Sequence, residues 1–182
     1  MFATIFKRLL LLTGALTMLA SCSDDDSGLP YGYVYLGGNP YLEEGHLTGT
    51  NLHFYGTTTV RDTQSGESYT NREGYIELAG LYDFTLYLHR FRLEAGTWGS
   101  EMRLRDVGYT PTGDRSLSFA LEEAIPEVLQ PNEVGGGATY HPDEELRITQ
   151  FEGRIDDIDC RMSFTVAGRW QVAYEGRLIG PK

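Results

Sequence analysis

The 182-residue chain carries 26 acidic against 15 basic residues, a formal net charge of −11 at pH 7. That balance excludes nucleic acid and anionic headgroups as partners reached through the overall field. The length suits one domain with a substantial core, and two cysteines, Cys22 and Cys160, exclude a disulfide-built scaffold.

Residues 1–21 have the three parts of an export signal: charges at Lys7 and Arg8, an apolar run from Leu9 to Leu19, and small residues at Ala20 and Ser21. The run is shorter than the roughly 20 apolar residues of a spanning helix. The tetrad Leu19-Ala20-Ser21-Cys22 looks like a lipobox, in which the Cys22 thiolate takes a diacylglycerol and cleavage follows just before it. The plainer alternative is ordinary signal cleavage with Cys22 left as a thiol. Processing at Cys22 removes Lys7 and Arg8 and no acid, so the mature net charge is −13, and its bases are twelve arginines and Lys182. Ser23, Asp24, Asp25 and Asp26 open a polar tether that cannot bury itself. The tether resembles the acidic export signal of surface-exposed lipoproteins of Bacteroidota. That implies an outer-membrane protein, lipid-anchored and facing the cell surface, with a periplasmic address or a mere spacer as the alternatives.

Residues 22–45 continue as tether and irregular lead-in, with Pro30, Pro40, Gly37 and Gly38 set among Tyr31, Tyr33 and Tyr35, which share one parity. The domain proper is expected over 46–182. Its hydrophobic pattern has period two, the mark of strands with one buried face. Predicted strands run over 47–55, 74–81, 82–91, 101–109, 116–121, 146–155, 160–166 and 170–174. Cys160, Met162, Phe164 and Val166 share one face, as do Trp170, Val172 and Tyr174, and Ala167-Gly168-Arg169 reads as the tight turn between them. Even parity from Tyr82 to Leu88 followed by Phe91 demands a bulge near His89. Residues 122–145, broken by Pro126, Pro131, Gly135–Gly137 and Pro142, read as a long loop lying over one end of the domain, with at most a turn of helix at Pro126.

About eight antiparallel strands must remove their edges, so an all-β up-and-down barrel is expected, with a β-sandwich as the alternative. The order of 82–91, 102–107, the long insert, 148–155 and 162–175 resembles the calycin-like lipoproteins of Bacteroidota. That resemblance implies a small lipocalin-type barrel behind an acidic tether, in a family mostly without assigned function. The insert at Gly135–Gly137 is long for it.

No catalytic motif is present. His46, His53, His89 and His141 are scattered without a nucleophile context, so no enzyme activity is expected. The acids at 141–145 and 156–159 lack the glycine and ligand spacing of a calcium loop, and neither a metal nor a cofactor is expected. Aromatics are the richer signal. Trp98 sits between Gly96 and Gly99 in a hairpin loop, and with Tyr31, Tyr33 and Tyr35 it could stack on a sugar or anchor a partner. Tyr31–Tyr35 could equally form a first strand. Arg90, Arg92, Arg103 and Arg105 are expected to point outward from one hairpin as a shared patch. Either Glu77, Glu94 and Glu101 neutralise that patch, or an anionic partner does.

Two functions follow as expectations. One is a non-catalytic binding module for a small apolar or sugar ligand at the barrel mouth. The other is a structural accessory subunit of an outer-membrane protein assembly. An interior cavity with a few polar groups would favour the first, and a filled core the second.

Overall fold

The computed structural model describes residues 29–49, 51–97 and 99–182. The expected signal peptide (1–21), Cys22, the acidic residues 23–26 and Trp98 lie outside the described residues. The lead-in supplies β1 (Tyr33–Tyr35), β2 (Leu42–Glu43) and β3 (His46–Leu47). A first meander follows: β4 (Asn51–Asp62), β5 (Ser68–Asn71), β6 (Tyr75–Gly80), β7 (Phe84–Phe91) and β8 (Ser100–Val107). Then come β9 (Tyr109–Gly113), β10 (Ser116–Ala124), β11 (Glu127–Pro131) and β12 (Ala138–Pro142). The chain ends with a 3-10 turn at Glu144–Leu146, β13 (Ile148–Asp156), β14 (Asp159–Val166) and β15 (Trp170–Pro181). Among the described residues no helix is long and apolar enough to cross a membrane.

The eight predicted strands correspond to β4, β6, β7, β8, β10, β13, β14 and β15. They lie side by side in the order β8-β7-β6-β4-β15-β14-β13-β10, every pair antiparallel. The closed barrel is not formed. These strands belong to one open thirteen-stranded sheet, and among the described residues no second large sheet faces it as a sandwich would require. The cause lies at the seam. β8 and β9 make one run broken at Gly108, whose first part pairs with β7 while the second leaves it to pair with β10. Lower down, β11 occupies the free side of β8, with Glu127 opposite Arg103 and Val128 opposite Met102. Both lips of the seam are thereby taken before they can join.

The expected long loop at 122–145 is mostly sheet. β10 extends to Ala124, and β11 and β12 form a hairpin over a turn in which Gly135, Gly136 and Gly137 all have positive φ. Pro126, Pro131 and Pro142 stand at or beside strand ends, where a missing N–H breaks no interior ladder. The single helical turn sits at Glu144–Leu146, not at Pro126, and Asp143 caps it through Glu145 N. The lead-in is less irregular than expected too, because β1 pairs with the last residues of β15.

The core is a chain of phenylalanine contacts. Phe84 meets Phe119 edge-on at 5.2 Å across the open seam, Phe119 meets Phe151 at 5.7 Å, and Phe151 meets Phe164 at 5.6 Å. Phe91 closes on Phe164 at 5.9 Å. Each such side chain contributes roughly 1.5–3 kcal/mol by leaving water, so packing closes what the backbone leaves open. Cys160, Met162, Phe164 and Val166 are all buried, as their parity requires, and burial pushes the Cys160 thiol up into an unreactive range. The Ala167-Gly168 turn has φ of 52° and 63°. Between Leu88, Phe91 and Phe164 a pocket of only about 10 Å³ remains, no more than roughly one water's worth. The core is filled.

Phe119 lies directly over its cross-strand partner Gly153, where an added Cβ would stand 2.0 Å from the ring. Gly153→Val should therefore overpack the core and cost about 1–3 kcal/mol in chemical denaturation. An unchanged unfolding midpoint would contradict this placement of the Phe119 ring.

Candidate functional site

Because Leu52, Phe54, Ile76, Leu78, Leu86, Leu88, Met102 and Leu104 point into the core, the odd-numbered residues between them face outward. Register then sets them in two adjacent rows. One runs Tyr55, Tyr75, His89, and the next runs His53, Glu77, Tyr87, Arg103. Their rings associate. Tyr75 stacks on His89 at 4.2 Å, Tyr87 lies 5.9 Å from His89, and Tyr33 meets the edge of His53 at 6.2 Å. The outer face is thus an aromatic surface, not an ordinary solvated one.

The bulge expected near His89 is present: register shifts between Leu88 and Phe91, and Arg90 has φ of 54°. His89 and Arg90 both face outward as a result. Two side chains pin the distortion. Glu101 accepts from the Arg90 amide at 3.0 Å and from His89 Nδ1 at 2.6 Å. The buried Asn71 donates to the Arg90 carbonyl at 3.0 Å. Partial burial pushes the Glu101 carboxyl up, but the hydrogen bonds from His89 and the Arg90 amide outweigh it and hold the group below its ordinary value. On the other side of His89, Glu77 lies 3.3 Å from Nε2 and 3.5 Å from His53 Nε2.

Beside these rows is a cleft of about 440 Å³. Its walls include Tyr31, Tyr33, Tyr55, Tyr75, His53 and Arg90, and Leu29, Pro30, Ile179 and Glu73 complete the lining. Burial, followed by the neighbouring Tyr35, pushes the Tyr55 hydroxyl up; burial, followed by Glu101 and Glu77, does the same at Tyr75. Both remain protonated donors at neutral pH. The lead-in thus contributes two walls, Tyr31 and Tyr33, to a cleft otherwise built by β4, β6 and the β7 bulge.

The remaining expected contacts fall elsewhere. Tyr35 lies under Arg177, 5.3 Å from the guanidinium to the ring, and is not part of the cleft. The four arginines point outward but do not pool. Arg92 pairs with Glu73 at 2.7 Å, and Arg103 and Arg105 share Glu127 at 2.5 and 3.1 Å. Arg103 also lies 4.2 Å over the Tyr140 ring. Glu73 and Glu127 supply these ion pairs; of the expected acids, Glu101 lies by Arg90 and accepts from its amide, and Glu94 lies 3.6 Å from Arg169 instead. Glu127 stood in the segment read as loop, so its approach to β8 had no local signal. Among the described residues no cluster of three or more His, Cys, Asp or Glu is arranged to hold a metal. The acids at 156–159 form a turn, with Asp157 accepting from Asn39 N and Arg115 Nε.

A second cleft, of about 690 Å³, lies at the opposite end of β15 beside Tyr69 and Trp170. Arg169 stacks on Trp170 there and binds Asp62 through two hydrogen bonds at 3.1 and 2.7 Å. Its cation is engaged in holding the β14–β15 turn to β4.

Sequence reasoning reached Tyr31, Tyr33 and Arg90 but not Tyr55, Tyr75, Asn71 or Glu73. The outward parity of Tyr55 and Tyr75 was available; that it aligns them across two strands needs the register. Comparison with protein-family models, curated proteins and solved structures finds no match, and the functional reading therefore rests on the chemistry of the cleft.

Since the Glu101 carboxyl is held below its ordinary 4.5, its contribution to stability is present above that value and is lost as pH falls through the lower folded value. Glu101→Gln should reduce stability at neutral pH, and the gap from the wild type should close as the pH is lowered below about 4.5. A pH-independent gap in thermal unfolding would mean that Glu101 does not act through its charge.

Proposed function

We propose that this protein is a lipid-anchored, non-catalytic binding protein of the cell envelope, and that its ligand is a sugar held in the tyrosine-walled cleft on the outer face. The carrying observation is the composition of that cleft: four tyrosines around about 440 Å³, with polar groups at its edge. Tyrosine presents an apolar face to the C–H face of a pyranose and a hydroxyl to its oxygens. The filled core speaks against an apolar ligand inside the domain. Among the lining residues Glu73 is the one carboxylate, and it is paired with Arg92, whereas glycoside hydrolysis ordinarily uses two carboxyl groups flanking the bond. Binding without turnover is the reading that fits.

In this account the acyl chains on Cys22 hold the protein in the outer membrane, and Ser23, Asp24, Asp25 and Asp26 direct it to the cell surface. The domain is a calycin-type meander whose seam is unzipped. The second reading, an accessory subunit of an outer-membrane protein assembly, draws on the filled core and on the sheet edges at β9 and β12, which can accept a partner strand.

Cys22→Ala should release the protein from the membrane fraction or leave it unprocessed; unchanged membrane retention would remove the anchor from the account. Calorimetric titration of the mature chain with oligosaccharides should detect binding that Tyr31→Ala and Tyr33→Ala each weaken about 3–10-fold, the equivalent of one aromatic contact. Binding indifferent to both substitutions would place the ligand elsewhere.

A further inference from the structure

Arg90 sets the cleft apart from the rest of the surface. Among the described residues nearly every arginine has a carboxylate within 4.0 Å, whether from Glu73, Glu123, Glu127, Glu175 or one of Asp62, Asp156, Asp157 and Asp159. Arg61, Arg72 and Arg90 are the exceptions. Of these three, Arg90 alone lines the cleft. In a mature chain of net −13, an arginine with no carboxylate within 4.0 Å among the described residues, standing beside a cavity, is a cation open to a further anion.

Its delivery there is built into the backbone. Regular alternation after Leu88 would turn residue 90 inward, against Leu86, Leu88 and their neighbours. The bulge turns it outward at a left-handed φ of 54°, a conformation that carries a cost for a residue other than glycine. Glu101 and the buried Asn71 hold the two sides of its peptide in that geometry. Glu101 takes the backbone N–H and Asn71 the carbonyl, so the guanidinium itself is not consumed in maintaining the bulge. Glu73, the other charged group of the lining, is occupied by Arg92 at 2.7 Å, and Glu101, the other carboxylate that feels the Arg90 charge, is spent on the Arg90 amide and His89.

We infer that the cleft selects an acidic sugar, a uronic acid residue whose carboxylate is received by the Arg90 guanidinium while its ring lies against the tyrosines. This rests on the sugar-binding reading above and narrows it to a ligand class. The planar fork of arginine matches a carboxylate through two parallel N–H···O bonds. The overall negative field opposes an anion at long range, but at physiological ionic strength it is screened beyond about 8 Å. Selection therefore operates at contact distance, inside the cleft.

The test compares an oligouronate with its fully methyl-esterified form, which has the same ring and length without the charge. Both are titrated into the full mature protein as wild type, Arg90→Gln and Arg90→Lys. The wild type should bind the acid at least tenfold more tightly than the ester, with the preference shrinking as salt is raised. Arg90→Gln should abolish the preference by bringing acid binding down to the level of the ester, while Arg90→Lys should keep part of it. An unchanged circular dichroism spectrum and thermal unfolding midpoint show that each variant remains folded. Equal wild-type binding of acid and ester, or a preference that survives in Arg90→Gln, overturns the acidic-ligand inference and leaves the sugar cleft standing. Binding of neither form to the wild type overturns the sugar cleft and the inference with it.

Discussion

The pairing of β4 with β15 is the constraint on which the rest of the structure depends. It runs unbroken from Asp62 opposite Trp170 to His53 opposite Ile179, and it joins the meander β4-β6-β7-β8 to the meander β10-β13-β14-β15. Both strands outrun their inner neighbours. The first half of β4 pairs with β6 and the second with β5, while β15 pairs first with β14 and then with β1. Where β14 gives way to β1, the lead-in tyrosines come to rest beside His53 and Tyr55. The cleft exists because the spine is longer than the strands that flank it.

An open sheet has to seal its core by packing, and the phenylalanine chain performs that task. Phe84 and Phe119 meet across the seam without any ladder between their strands. Closing the seam by hydrogen bonds would require β8 and β10 to run together over their full length, yet β9 and β11 already hold those positions. The filled interior follows from the same arrangement, since large rings from opposite walls meet at the centre.

The eight principal strands were legible because alternation is local: a residue's parity is fixed by its immediate neighbours. For the same reason the bulge at His89 could be foreseen from Leu88 and Phe91 alone, as could the burial of Cys160. The open seam could not, because it is decided by Glu127 reaching Arg103 and by Tyr109 reaching Phe119, contacts set by tertiary placement. The hairpin β11–β12 was hidden by its prolines, which are breakers inside a strand and harmless at its ends. Half of the cleft was visible as tyrosines on one parity and an outward arginine. The other half, Tyr55, Tyr75 and the Asn71 and Glu101 pins, appears only once four strands are set in register.

The central claim is that the Tyr31–Tyr33–Tyr55–Tyr75 cleft is where this protein meets its ligand. Hydroxyl-radical footprinting with mass spectrometry tests it directly, performed on the full chain with and without a bacterial surface polysaccharide. The account predicts that polysaccharide protects Tyr31 and Tyr33 from oxidation while Tyr69 and Trp170, at the far cleft, are unaffected. Protection confined to Tyr69 and Trp170, or none at Tyr31 and Tyr33 under saturating polysaccharide, would contradict it.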